Sequence, residues 1–249
     1  GHGRADDRYM AESIIPGTEI PGGYAEQRYR DLRARWRRRV RPYVAIITVI
    51  GVAGLLVAPH VPGAWGYSVA FVSGGVFALV PILRNSPPQH VENWHVGAEG
   101  ERWTAKELAK LDGWTVRHDL KAKYGNVDHL VWGPGGVYLI DSKNWTGRTV
   151  DLTPGYPVTA PKLDPTSSFH DKKVPRNLKA EARRTSDALR KQTRVTMWVQ
   201  PVVAVWADLP EANIVDGVAY VPGPQLAQWL QARPLTVPPV LAQRLSRVL

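Results

Sequence analysis

The sequence predicts an α/β domain with a mixed central sheet flanked by helices, preceded by a two-helix transmembrane hairpin. Three observations carry this. The window from Pro42 to Leu83 holds no Asp, Glu, Lys or Arg and contains two apolar runs. After Arg84, segments of helical and strand periodicity follow one another. One of them, Met197 to Trp206, is almost continuously apolar, as an interior strand of a sheet is.

The hairpin comes first. Its runs are Tyr43 to Val61 and Trp65 to Leu83, joined by Pro62-Gly63-Ala64. Each covers about 28 Å as a helix, close to the hydrocarbon thickness of a bilayer. A buried hairpin in a soluble core is the competing reading, but a soluble core rarely needs two adjacent charge-free runs of this length. Residues Arg28 to Arg41 carry eight arginines against one acid, Asp31, and Arg84 closes the second run. The turn between the runs has no positive charge, so both termini and the C-terminal domain are expected in the cytoplasm. Residues 43–83 would then contact the lipid bilayer, and the Arg28–Arg41 cluster would meet anionic headgroups. Nucleic acid is the alternative partner for those arginines. The expected organisation is a basic cytoplasmic tail over 1–41, the hairpin over 42–84, a linker over 85–92 and one domain over 93–249.

Within that domain, Val96 to Leu111 reads as an amphipathic helix with Trp103, Leu108 and Leu111 on one side, ended by Gly113. Trp114 to His118 and Val127 to Trp132 read as strands around a polar loop, Lys121 to Asn126. Gly133-Pro134-Gly135-Gly136 is a turn, and Val137 to Lys143 completes a hairpin. Arg148 to Leu152 is a further strand, and 153–173 reads as irregular. Pro175 to Gln192 is a charged helix with Leu178, Ala182 and Leu189 on one side. Met197 to Trp206 and Ile214 to Val221 are strands, followed by short helices at Gln225 to Gln231 and Pro239 to Val248.

The net charge of +10 favours anionic partners, nucleic acid or an acidic membrane surface. The chain has no cysteine, which excludes disulfides and thiolate metal sites. Gly133 to Gly136 lacks the Lys-Ser/Thr and following helix of a phosphate loop, so it is a turn only.

The chemistry gathers on the hairpin. Asp141 and Lys143 share one face of their strand, and Asp128 lies on the neighbouring strand, on the side of Leu130 and Trp132. Two carboxylates and an ammonium at a hairpin suit a hard divalent cation and a phosphate oxygen. Taken alone, Asp141 with Lys143 could be a surface ion pair, and Glu101 could simply favour a helix start. His129 points away from Asp128 and reads as structural. His90 and His95 read as solvated linker residues. Trp145 is either a stacking platform or a rim aromatic.

Three stretches carry a resemblance: Gly97-Ala98-Glu99-Gly100-Glu101, Asn126-Val127-Asp128-His129-Leu130, and Gly136 to Gly147 around Asp141-Ser142-Lys143. In this order they resemble the nuclease-related (NERD) domain of the PD-(D/E)xK nuclease superfamily. The resemblance implies a restriction-endonuclease-like fold and a metal-dependent nuclease acting on nucleic acid, most directly DNA, with Mg²⁺ or Mn²⁺. It implies Asp128 and Asp141 as metal ligands, completed by the Ser142 carbonyl, with Lys143 and Glu101 as catalytic residues. Lys121, Lys123, Lys179 and Arg183 are the expected phosphate contacts. The family's later helix carries a polar residue facing the site; Leu178 stands there instead, with Asn177 and Glu181 beside it. The same fold used as a non-catalytic binding module is the alternative. A transporter or channel subunit gains little support from two helices without intramembrane charge.

Overall fold

The computed structural model of the protein describes residues 19–122 and 125–248. The chain divides into two compact units, Glu26–His95 and Val96 onward, the latter taking in the short segment before Glu26.

In the first unit, helix α1 spans Gly23–Val57, a 3-10 turn spans Ala58–His60, and helix α2 spans Ala64–Asn85. Both helices are long and apolar enough to cross a membrane. The arginines expected on a tail lie on α1 itself, because the helix starts at Gly23; residues 1–18 of that tail are outside the described residues. Small residues set the approach of α1 and α2. A Cβ on Gly54 would overlap the buried Ser73 hydroxyl, and one on Gly51 would meet Phe77 Cβ at 3.2 Å. Helix α3, Gln89–Leu108, begins inside the segment expected as a linker, so only 86–88 separate it from α2. His95, expected to be solvated, stacks on Tyr29 with centroids 4.9 Å apart.

The second unit is built on one sheet. Its strands are β1 Thr115–Ala122, β2 Gly125–Gly133, β3 Gly136–Asp151, β4 Val158–Pro161, β5 Phe169–His170, β6 Val199–Asp208, β7 Asn213–Val215 and β8 Val218–Pro222. The main order is β1-β2-β3-β6-β8-β7, with β4 and β5 added beyond β3. Pairing is parallel at β3–β6 and β6–β8 and antiparallel elsewhere, which makes the sheet mixed. Helices α4 Lys173–Thr193, α5 Leu226–Gln231 and α6 Pro239–Val248 complete the unit.

Side-chain alternation sorts β2 and β3 into two cores. Leu130, Trp132 and Leu139 pack with Leu178, Ala182 and Leu189 of α4 and Leu245 of α6. Val131, Tyr138 and Ile140 pack with Leu108 of α3 and with Leu226 and Leu230 of α5. As expected of its apolar run, β6 is interior, between β3 and β8.

Several boundaries differ from expectation. The loop at 121–126 is largely strand, with Lys121 paired to Asn126. The two strands expected at 137–143 and 148–152 are one. Its register against β6 shifts between Asn144 and Thr149, and Gly147 at φ +80° lets the chain bend there without ending. The stretch expected as a single strand at 214–221 is a hairpin. Its turn is Asp216-Gly217, both at positive φ, the pair that a tight hairpin turn favours. Part of the irregular stretch 153–173 pairs as β4 and β5.

The β2–β3 turn is closed by aromatic packing on bare backbone: a Cβ on Gly133 would overlap the Trp114 indole. Gly133→Ala is therefore expected to destabilise the folded domain by about 2 kcal/mol. Chemical unfolding of the full chain in detergent measures this; an unchanged midpoint would contradict the packing described.

Candidate active site

The antiparallel ladder between β2 and β3 ends at the pair His129–Ile140. One residue further, Asp128 stands level with Asp141. Here the strands no longer bond main chain to main chain. Instead the Ser142 N–H donates to Asp128 Oδ2 at 2.7 Å. Lys143 Nζ lies 2.7 Å from Asp141 Oδ2, and the two side chains keep 24% and 22% of their surface exposed. Asp128, Asp141 and Lys143 thus meet as expected, at a place that solvent reaches.

Helix α3 brings Glu101 to this group. A Cβ on the preceding Gly100 would lie 2.9 Å from Asn144 Cβ, so the absence of a side chain lets α3 close on β3. Glu101 is buried, and its Oε2 makes no hydrogen bond. Burial first, then the charges of Asp119 and Asp141, push its carboxyl up to about 7; Lys143 and a backbone hydrogen bond from Gly22 oppose this only in part. Asp128 is held well above its ordinary value by burial, then by Glu101 and Asp141. At Lys143 burial works downward, but Asp141 and Asp128 outweigh it and hold the ammonium above the ordinary lysine range. One lysine thus faces several carboxylates in a partly dry setting.

Two acids near the site escaped the sequence reading. Asp119, buried on β1 at φ +53°, accepts the Tyr24 N–H at 3.1 Å and a bond from the Asn126 amide, and its charge bears on Glu101. Its left-handed backbone has no clear sequence signal. Asp171 accepts the Lys173 and Val174 N–H groups at 3.2 and 3.1 Å, capping α4, and its charge bears on Lys143. An Asp just ahead of a helix start was the signal for it.

Other expected residues are more scattered. Ser142 turns its buried side chain to the opposite face of β3. Leu178 is buried in the core, Asn177 is exposed, and Glu181 pairs with Arg184, so α4 offers no polar group where Leu178 packs. Lys121 is exposed on β1, and Lys179 is paired with Asp216. Arg183 lines a shallow pocket with Met197 and Trp198 at the start of β6, whereas Lys143 is level with Val205. That places them about 20 Å apart along the strand. Lys123 lies outside the described residues. Trp145 packs edge-on against Phe169, with centroids 6.0 Å apart.

Residues 96–206 match the family model of the nuclease-related domain. The match covers α3 from Val96, the β1–β3 hairpins, α4 and nearly all of β6, and so contains Glu101, Asp128, Asp141 and Lys143. No curated protein and no solved structure matches the chain. The chain carries a nuclease-related domain over these residues.

The electrostatics have a testable consequence. The folded-state pKa of Glu101 is raised from an ordinary 4.5 to about 7, so its ionisation opposes folding increasingly as pH rises through that interval. Glu101→Gln is expected to leave stability near wild type at pH 4 and to raise it by about 3 kcal/mol at pH 8. Unfolding midpoints at the two pH values measure this; a loss of stability at pH 8 would contradict it.

Proposed function

We propose that the nuclease-related domain is a metal-dependent phosphodiesterase that cleaves nucleic acid, most directly DNA, while its hairpin anchors it to a membrane. One observation carries the catalytic part: Asp128, Asp141 and the charged Lys143 sit together at a solvent-open ladder end, with Glu101 buried beside them.

The residues fit a hard divalent cation, Mg²⁺ or Mn²⁺. Glu101 Oε2 is buried without a hydrogen bond, and the acids raise one another's pKa, which marks a site short of positive charge. Among the described residues no three His, Asp or Glu side chains are arranged to hold a metal alone. A cation held here would take one or two carboxylates and fill its shell with water and substrate phosphate oxygens. Asp128 and Asp141 would hold it, with the Ser142 carbonyl. When bound, such an ion supplies Lewis-acid charge and acidifies a bound water.

The side chains do the rest. Lys143 stays protonated, so it orients the attacking water or neutralises a phosphate oxygen as charge builds there, and does not act as a base. Glu101, poised near neutrality, is the acid best set to exchange a proton at working pH. Lys121 would grip a backbone phosphate near the β1–β2 end, and Lys179 and Arg183 would meet a longer duplex further along the domain. The second reading, a binding module without turnover, draws support from Leu178: α4 places an apolar side chain where the family resemblance implies a polar one.

Membrane anchoring rests on exposure. Only 11% of each apolar span is buried, and Ile46, Val49, Phe71 and Val72 face outward, which is costly in water and favourable in lipid. A groove of about 830 Å³ at the charged end of the hairpin is lined by Arg30, Arg33, Arg37, Arg38, Arg41 and Arg84, suited to anionic headgroups. The arginine asymmetry puts both termini and the domain in the cytoplasm.

The full chain in detergent is expected to cut DNA with Mg²⁺ or Mn²⁺ and to be inert in EDTA. Asp141→Ala and Lys143→Ala are expected to lose at least about 100-fold in rate. Cleavage unchanged in both variants, or absent from the wild type, would overturn the catalytic reading in favour of the binding module. Membranes washed at alkaline pH are expected to retain the full chain; its release into the wash would overturn the anchoring.

A further inference from the structure

On the face of β2 and β3 opposite Asp128 and Lys143 runs a chain of hydrogen bonds. His118 on β1 and His129 on β2 meet through their Nδ1 atoms at 2.7 Å. His129 Nε2 reaches Ser142 Oγ of β3 at 3.2 Å. Ser142 Oγ donates to Thr104 Oγ1 of α3 at 2.8 Å. Trp206 of β6 donates its indole N–H to the same oxygen at 2.9 Å. His129, Ser142 and Thr104 are buried.

The direction of every proton follows from one end. An indole N–H only donates, so Thr104 Oγ1 accepts from Trp206. The Thr104 hydroxyl gives its own proton to the Gly100 carbonyl at 2.9 Å. Ser142 Oγ therefore spends its proton on Thr104 and must accept from His129 Nε2–H. One proton lies between the two Nδ1 atoms, and with the His129 proton on Nε2, its Nδ1 is the acceptor and His118 Nδ1–H the donor. The order is thus His118 to His129 to Ser142 to Thr104, with each donor matched to an acceptor.

The location gives this chain its work. It crosses from β2 to β3 where their main-chain ladder has stopped. The Ser142 peptide lies between Asp141 and Lys143, and its N–H holds Asp128. We propose that His129 is a positioning residue: through Ser142 it bridges the two strands beyond their last ladder pair and fixes the peptide that aims Asp128, Asp141 and Lys143. Thr104 and Trp206 anchor the far side of Ser142, so α3 and β6 share in the alignment. The proposal rests on the metal-site reading for its consequence but not for its geometry. Outer partners of this kind change metal affinity by about 10- to 100-fold when lost.

The test uses the full chain in detergent, labelled with ¹⁵N, and Mn²⁺ as the probe. In the wild type, His129 is expected as the Nε2–H tautomer, and the Ser142 amide proton as a downfield, slowly exchanging resonance. His129→Leu, or the milder Ser142→Ala, is expected to return that amide to ordinary exchange and to weaken Mn²⁺ binding by about tenfold. His129→Gln keeps an amide donor toward Ser142 and is expected to restore most of both, which a loss of packing would not do. A folded His129→Leu with the wild-type amide at position 142 would overturn the proposal, as would the Nδ1–H tautomer at His129. If the wild type binds no Mn²⁺, the metal reading falls, while the position-142 amide still decides the bridge.

Discussion

The domain is organised around an imbalance of charge: several carboxylates crowd one lysine at a half-buried end of the β2–β3 ladder. Glu101, Asp119, Asp128 and Asp141 come from α3, β1, β2 and β3, and the charge of Lys143 opposes the crowding at Glu101 and Asp128. Ionised acids in such a place repel one another and lose solvation. A fold built only for stability would fill this position with apolar side chains.

The sheet creates that end. Parallel pairing of β3 with β6 holds one edge of β3, from Val137 level with Val199 to Asn144 level with Trp206. The antiparallel partner β2 leaves earlier, after His129, so one edge of β3 is open to side chains just where Asp141 begins the charged triplet. Glycines then let neighbours close in. Gly100 admits α3 to β3, and Gly223, where a Cβ would overlap the Trp206 indole, lets the chain pass over the aromatic that anchors Thr104. The opening is therefore polar, fixed by its surroundings and accessible.

Much of this was legible in the sequence. Alternation placed Asp128, Asp141 and Lys143 on one side and His129 on the other, because a two-residue period leaves no freedom once a strand is recognised. The charge-free window marked the hairpin helices. What escaped depended on contacts between elements or on backbone conformation. Asp119 adopts a left-handed conformation that β1 alone does not announce. The single bent strand β3 looked like two because Gly147 interrupts the pattern while β6 keeps the chain aligned. The face of His129 follows from strand alternation, but its partners come from β1, β3 and, through Ser142, α3, which no local pattern announces. The scatter of Lys179 and Arg183 was invisible because composition reports a basic surface without saying where on it a charge stands.

If the acids are crowded because a cation belongs among them, binding that cation must expel protons. The most direct measurement is proton release when Mn²⁺ is added to the full chain in weakly buffered detergent near pH 6.5, alongside Asp128→Asn and Glu101→Gln. The expected result is release of about one proton per Mn²⁺ bound by the wild type, with less release in Glu101→Gln and little binding by Asp128→Asn. Binding without proton release, or equal binding by Asp128→Asn, would contradict the account of the site.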